Sequence, residues 1–198
     1  GSLEIAELTS PKFTKNGMIV ISASYRHAYQ QPFPTQIEDV YTLLKWLDEH
    51  ASNIVKPYHN EEIRRLVDFN RVIIAGESAC GNLALVSTLI AKERQLKNFN
   101  FVYMILYYPW MLYHSKTKSG EEFKDAYIIP RWILDWFAQI YISNQTLLDH
   151  PYVCPLKAKN LSFVKQVSIF TAQYDPLRDE GRLLKKKLEE DGVNVIYR

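Results

Sequence analysis

The chain has 198 residues, is 47% hydrophobic and 23% charged, and carries a formal net charge of +2. That length fits one domain, residues 1–198, with a substantial core. So even a charge balance gives no basis for nucleic-acid binding, since the Lys185-Lys186-Lys187 run is followed by Glu189, Glu190 and Asp191, as on a solvated helix end.

The elements follow an α/β rhythm. Met18–Ser24 is apolar and β-branched and reads as a buried strand. Gln36–His50 reads as a helix with Ile37, Val40, Tyr41, Leu44 and Leu47 on one face. Arg71–Ala75 is the next strand and Ser78–Lys92 the next helix, with Leu83, Val86 and Ile90 on one stripe. Phe101–Tyr107 is a strand ended by Pro109. The stretch from Trp110 to Leu161 then breaks the rhythm, an excursion of the kind that shapes a binding site, with one helix over Pro130–Ile142. Gln166–Thr171 resumes the sheet, and Arg178–Glu190 is a helix stopped by Gly192, with Leu177, Gly181, Leu184 and Leu188 facing inward. Val193–Tyr197 is a last strand. This alternation predicts a three-layer α/β/α sandwich around a mostly parallel, twisted sheet.

The segment richest in chemistry is Gly76-Glu77-Ser78-Ala79-Cys80-Gly81-Asn82, where a strand runs into a tight turn and a helix leaves it. A serine on such an elbow has its hydroxyl at the carboxyl edge of the sheet and at a helix N-terminus, where developing negative charge is favoured. Gly76 leaves room before the turn, Gly81 lets helix and strand approach, and the Ala79 N–H becomes an oxyanion donor. Cys80 stands where a strict G-x-S-x-G pattern has its last glycine. The plainer alternative is a serine that caps a helix. Glu77 reads as a helix-start or hydrogen-bonding residue. Asp175, after a later strand, shares the carboxyl edge and suits an acid that orients an imidazole. Its plainer alternative, and that of Asp179, is also a helix cap.

The elbow resembles the G-D/E-S-A-G-G-N of the hormone-sensitive-lipase-like branch of the α/β-hydrolases, a family of carboxylesterases and lipases. Tyr25-Arg26 followed by Phe33-Pro34 and Asp39 is similar to that family's Y-R and F-P-x-x-x-x-D elements, although His27-Ala28-Tyr29-Gln30 matches only partly. Asp149–Leu156 resembles its D-P-x-x-S-P-L element with one insertion and Cys154 in place of serine. Asp175-Pro176-Leu177-Arg178-Asp179-Glu180-Gly181 matches D-P-L-x-D-E-G, whose first Asp is the triad acid in the family. The resemblance implies a Ser-His-Asp hydrolase of carboxylic esters with Ser78 as nucleophile and Asp175 as acid. It also implies small-molecule ester substrates and no cofactor.

Two family parts are missing. The histidines are His27, His50, His59, His114 and His150, and none follows Asp175, where the triad order requires one. The family's H-G-G-G oxyanion loop is also absent, and Gly1-Ser2 is either native at that loop or an expression scar. The expectation is a domain cut at both ends, with the triad His on the order of ten residues past the last strand. The alternative is a catalytically inactive binding or assembly module, and an uncovered terminal strand favours homo-oligomers. Two cysteines, Cys80 and Cys154, fit a reducing, cytoplasmic setting. Neither a metal site nor stable membrane insertion is expected, because ligand spacings are lacking and the apolar runs are strand-sized. Aromatics of the excursion, Trp110, Tyr113, Phe123, Trp132, Trp136 and Phe137, are candidates for an acyl or alcohol pocket, with Trp136 and Phe137 expected in the core.

Overall fold

The computed structural model describes residues 10–54, 68, 70–98, 100–113 and 116–198, except the side chains of 51–54. Four strands form one sheet: β1 (Val72–Glu77), β2 (Phe101–Tyr107), β3 (Gln166–Phe170) and β4 (Asn194–Tyr197). They lie in chain order, and every neighbouring pair is parallel. The larger helices are α1 (Thr35–Ile54), α2 (Ala79–Glu93), α4 (Arg131–Tyr141) and α5 (Arg178–Glu190), and the short α3 spans Lys118–Glu122.

Parallel strands need crossovers, and the crossover helices bury one face of the sheet. Ile74, Met104, Val167 and Val195 share that face in register, as do Gly76, Leu106, Ile169 and Tyr197. Leu85 and Leu89 of α2 and Leu184 and Leu188 of α5 pack on it in one continuous core. α1 lies behind α2, with Ile37 against Leu83, Val86 and Ile90. The other face carries Ile73, Tyr103, Ile105, Tyr107, Phe170 and Ile196, and none of the described helices packs there. Ile73, Tyr107 and Ile196 are consequently 41%, 36% and 38% exposed. No helix among the described residues is long and apolar enough to cross a membrane.

Strand and helix positions follow the sequence reading within a few residues, with one exception. Met18–Ser24 is not a strand: Met18, Ile19 and Ile21 are exposed, and residues 18–27 have no ladder partner among the described residues. β-Branched residues make a strand only where a neighbour completes the hydrogen bonds, so propensity alone was insufficient. α1 also runs past His50, which lies inside the helix with its Nδ1 2.9 Å from the Trp46 carbonyl.

Candidate active site

Ser78 occupies the single residue between β1 and α2, at φ 51° and ψ −123°. A non-glycine residue there is strained by roughly 1–3 kcal/mol and persists only when its surroundings hold it. Three backbone bonds do so. The Ser78 N–H donates to the Tyr107 carbonyl at 2.9 Å, and the Ser78 carbonyl accepts from Gly81 and Trp110, each at 3.0 Å. The turn is too tight for side chains nearby. A Cβ on Gly76 would lie 2.1 Å from the Cys80 carbonyl oxygen, and one on Gly81 would lie 2.9 Å from Cβ of Pro109. The Ser78 hydroxyl makes no capping hydrogen bond to α2, so the structure does not use it as a helix cap. Ala79 opens α2, which places its N–H among the helix's first donors.

The other elbow side chains tie this turn to its surroundings. The Cys80 thiol and the Tyr25 hydroxyl share a hydrogen bond at 3.2 Å, and burial raises the ionisation of Tyr25. The buried Asn82 amide donates to the carbonyls of Trp110 and Val153, both at 3.0 Å, joining the elbow helix to the excursion. Glu77 accepts a hydrogen bond from the Tyr108 hydroxyl at 2.9 Å.

Asp175 lies in the turn between β3 and α5 and is half-buried. Burial pushes its carboxyl above the usual range, partly offset by the Leu177 N–H, which donates to Oδ1 at 2.8 Å. One carboxylate oxygen therefore serves the turn. Because β1, β2 and β3 are parallel neighbours, Ser78 and Asp175 both leave the carboxyl edge, one strand apart in the sheet. His27, His50 and His150 are tied up elsewhere in the fold: His27 stacks on Tyr29 at 5.6 Å, His50 on Trp46 at 5.1 Å, and His150 Nδ1 accepts from the Tyr152 N–H at 3.1 Å. His59 and His114 lie outside the described residues.

The two acids after Asp175 anchor the excursion. Asp179 accepts from the Ser119 N–H at 2.8 Å and from Arg182 at 2.8 Å. Glu180, 1% exposed, accepts from the N–H groups of Met111 and Leu112 at 2.7 and 2.8 Å. Since the Trp110 N–H holds Ser78, this buried carboxylate fixes the loop that fixes the elbow. Sequence reasoning missed it; two acids opening a helix were the available signal.

The excursion lies over the same edge. Leu134 and Ala138 of α4 pack with Trp110 and Leu177, and Ala79 packs against that cluster. Trp110 is core, at 5% exposure. Trp136 and Phe137 are not, contrary to expectation: they are 52% and 42% exposed, and Trp132 is 68% exposed. The inner stripe of so short a helix is filled by Leu134, Ala138 and Tyr141, which leaves its other aromatics outside. Phe123 instead lies beneath the Arg178 guanidinium, 5.1 Å from its ring centre. At the entrance to the fold, Arg26 grips Asp39 with contacts of 2.6 and 3.0 Å and lowers its carboxyl. Ser24, Tyr25, Arg26, His27, Gln30 and Asp39 line an open polar groove of about 400 Å³ there.

Comparison with known proteins agrees with this fold. The profile of the alpha/beta hydrolase fold matches residues 11–198. An arylesterase of Saccharolobus solfataricus is 29% identical over 178 residues, covering 89% of this chain and 54% of that protein. Carboxylesterase NlhH of Mycobacterium tuberculosis is 31% identical over 180 residues, covering 89% and 52%. The crystal structure of a hyperthermophilic esterase from the archaeon Pyrobaculum calidifontis superposes with a TM-score of 0.77 at 33% identity, covering 92% of this chain and 56% of that one. The chain spans about half the length of the curated relatives it matches. It belongs to the α/β-hydrolase fold family, in the hormone-sensitive-lipase-like branch that its motifs resemble.

Proposed function

We propose that the protein hydrolyses carboxylic esters of small molecules through a Ser-His-Asp acyl-enzyme mechanism, with Ser78 as nucleophile and Asp175 as the acid. The observation that carries this reading is the strained Ser78 on the β1–α2 elbow, one strand away from Asp175 at the same sheet edge. The similarity to an arylesterase and a carboxylesterase supports it.

Ser78 Oγ attacks the ester carbonyl carbon and gives its proton to an imidazole oriented by Asp175. The negative charge that forms on the carbonyl oxygen lies at the α2 N-terminus, near the Ala79 N–H. Collapse expels the alcohol, which takes the proton, and water then releases the acid by the same route. Besides Ser78, Asp175 and the Ala79 N–H, this mechanism needs an imidazole base and further oxyanion donors.

Hydrolysis of p-nitrophenyl acetate tests the reading. The 198-residue chain should turn over slowly or not at all, because each missing oxyanion donor costs about 3 kcal/mol of transition-state stabilisation and the serine lacks a base. A version extended at both ends to the length of the relatives should recover turnover and lose it on Ser78→Ala. An extended version without Ser78-dependent turnover would favour the binding-module alternative.

A further inference from the structure

Tyr108 stands one residue beyond β2, between the strand ends that carry Ser78 and Asp175. Its φ is +35°, a conformation disfavoured for a bulky residue. Two bonds hold it there. Its N–H donates to the Phe170 carbonyl at 2.6 Å, and its hydroxyl donates to Glu77 Oε2 at 2.9 Å. One residue thus braces the ends of β1 and β3 across β2. The ring is still 37% exposed, so it borders the edge where the reaction is placed.

Glu77 is the residue before Ser78, and a carboxylate that close matters electrostatically. Free to move, it would approach the serine, oppose the charge developing there and stabilise a protonated imidazole. We propose that Tyr108 is a positioning residue of the Ser78 site, whose hydroxyl holds the Glu77 carboxylate on the β2 side of the elbow and away from the reacting atoms. This rests on the ester-hydrolase reading. The groups that bear on the Tyr108 hydroxyl are Glu77 from β1, Asp175 from the turn after β3 and Tyr107 from β2 itself. Together with burial, which is the largest cause, they push its ionisation up to about 12, so it remains a donor throughout the neutral range.

The test uses Tyr108→Phe, which removes only the hydroxyl, in the full-length protein. The acid limb of its kcat/KM against pH is expected to move up by about half a unit, a roughly threefold change in the proton affinity of the imidazole. kcat should fall while KM stays near the wild-type value. Adding Glu77→Gln to Tyr108→Phe should return the limb to its wild-type position, which a merely structural defect would not do. An unmoved limb in Tyr108→Phe, or a shift that persists in the double variant, would overturn the proposal. A second measurement is independent of turnover. In protein labelled at tyrosine Cζ, the Tyr108 carbon resonance is identified by its loss in Tyr108→Phe. It should titrate near pH 12, and at lower pH in Glu77→Gln. Titration at the ordinary tyrosine value in the wild type would also overturn the proposal, whereas a normal Tyr108–Glu77 bond without Ser78-dependent turnover would remove the ester-hydrolase reading and this role with it.

Discussion

At the scale of single residues, the site is built from groups held in states they would not choose alone. Ser78 keeps a backbone conformation natural to glycine, so Ser78→Gly should be more stable than Ser78→Ala by about 1 kcal/mol, the relieved strain exceeding the greater unfolded-state freedom of glycine. Urea unfolding of the two variants measures this, and equal midpoints would show that the elbow is unstrained. Asp175 makes the same point through charge. Its carboxyl is raised by burial in the folded state, so the native form binds the proton more tightly than the unfolded chain does. The stability associated with that proton is fully present below the unfolded carboxylate range and is lost as pH rises through the folded value. Asp175→Asn, which retains an acceptor for the Leu177 N–H, should therefore raise Tm at pH 7, with the gain shrinking as pH falls toward 3.5. A lower Tm for Asp175→Asn at pH 7 would contradict this account.

At the scale of elements, α2 and α5 do the same work at opposite ends of the sheet. Each follows a strand whose exit turn carries a candidate site residue, Ser78 or Asp175, and each packs its apolar stripe on the same sheet face. On α5 the contrast between neighbours is sharp: Leu184 is fully buried and Leu183 is 43% exposed. Leu184→Ala should cost roughly 2–5 kcal/mol, and Leu183→Ala no more than about 0.5 kcal/mol. Equal losses by chemical denaturation would mean that α5 is rotated from the orientation described. The start of α5 has a second task, since Asp179 and Glu180 hold Ser119, Met111 and Leu112 by their N–H groups. The helix that follows Asp175 thereby also secures the loop that clamps Ser78.

At the scale of the whole molecule, the sheet is covered on one face by the described helices, and its other face presents Ile73, Tyr107 and Ile196 to solvent. β1 and β4 are its edges among the described residues. Exposed apolar surface on a sheet with free edges drives self-association. The 198-residue chain should show a concentration-dependent sedimentation coefficient, and Ile73→Lys combined with Ile196→Lys should shift it toward the monomer. A chain that remains monomeric at high concentration would show that this face does not pair with a second copy.

Much of this was legible in the sequence. The order of elements from residue 71 onward follows from alternating apolar patterns, and Gly76 and Gly81 mark the elbow because only glycine fits contacts that close. Ser78 and Asp175 were readable as site candidates because both follow strands and match ordered motifs. Long-range partners were not legible. Met18–Ser24 has strand propensity but no ladder, and Trp136 and Phe137 have core chemistry but no core position, because both properties depend on what packs alongside. Nothing local in the sequence announces that Tyr108 reaches Glu77 or that Glu180 holds the Trp110–Leu112 loop. Residues 31 and about 70 positions apart meet only because parallel strands bring their carboxyl ends to one edge, and that is a decision of the tertiary fold.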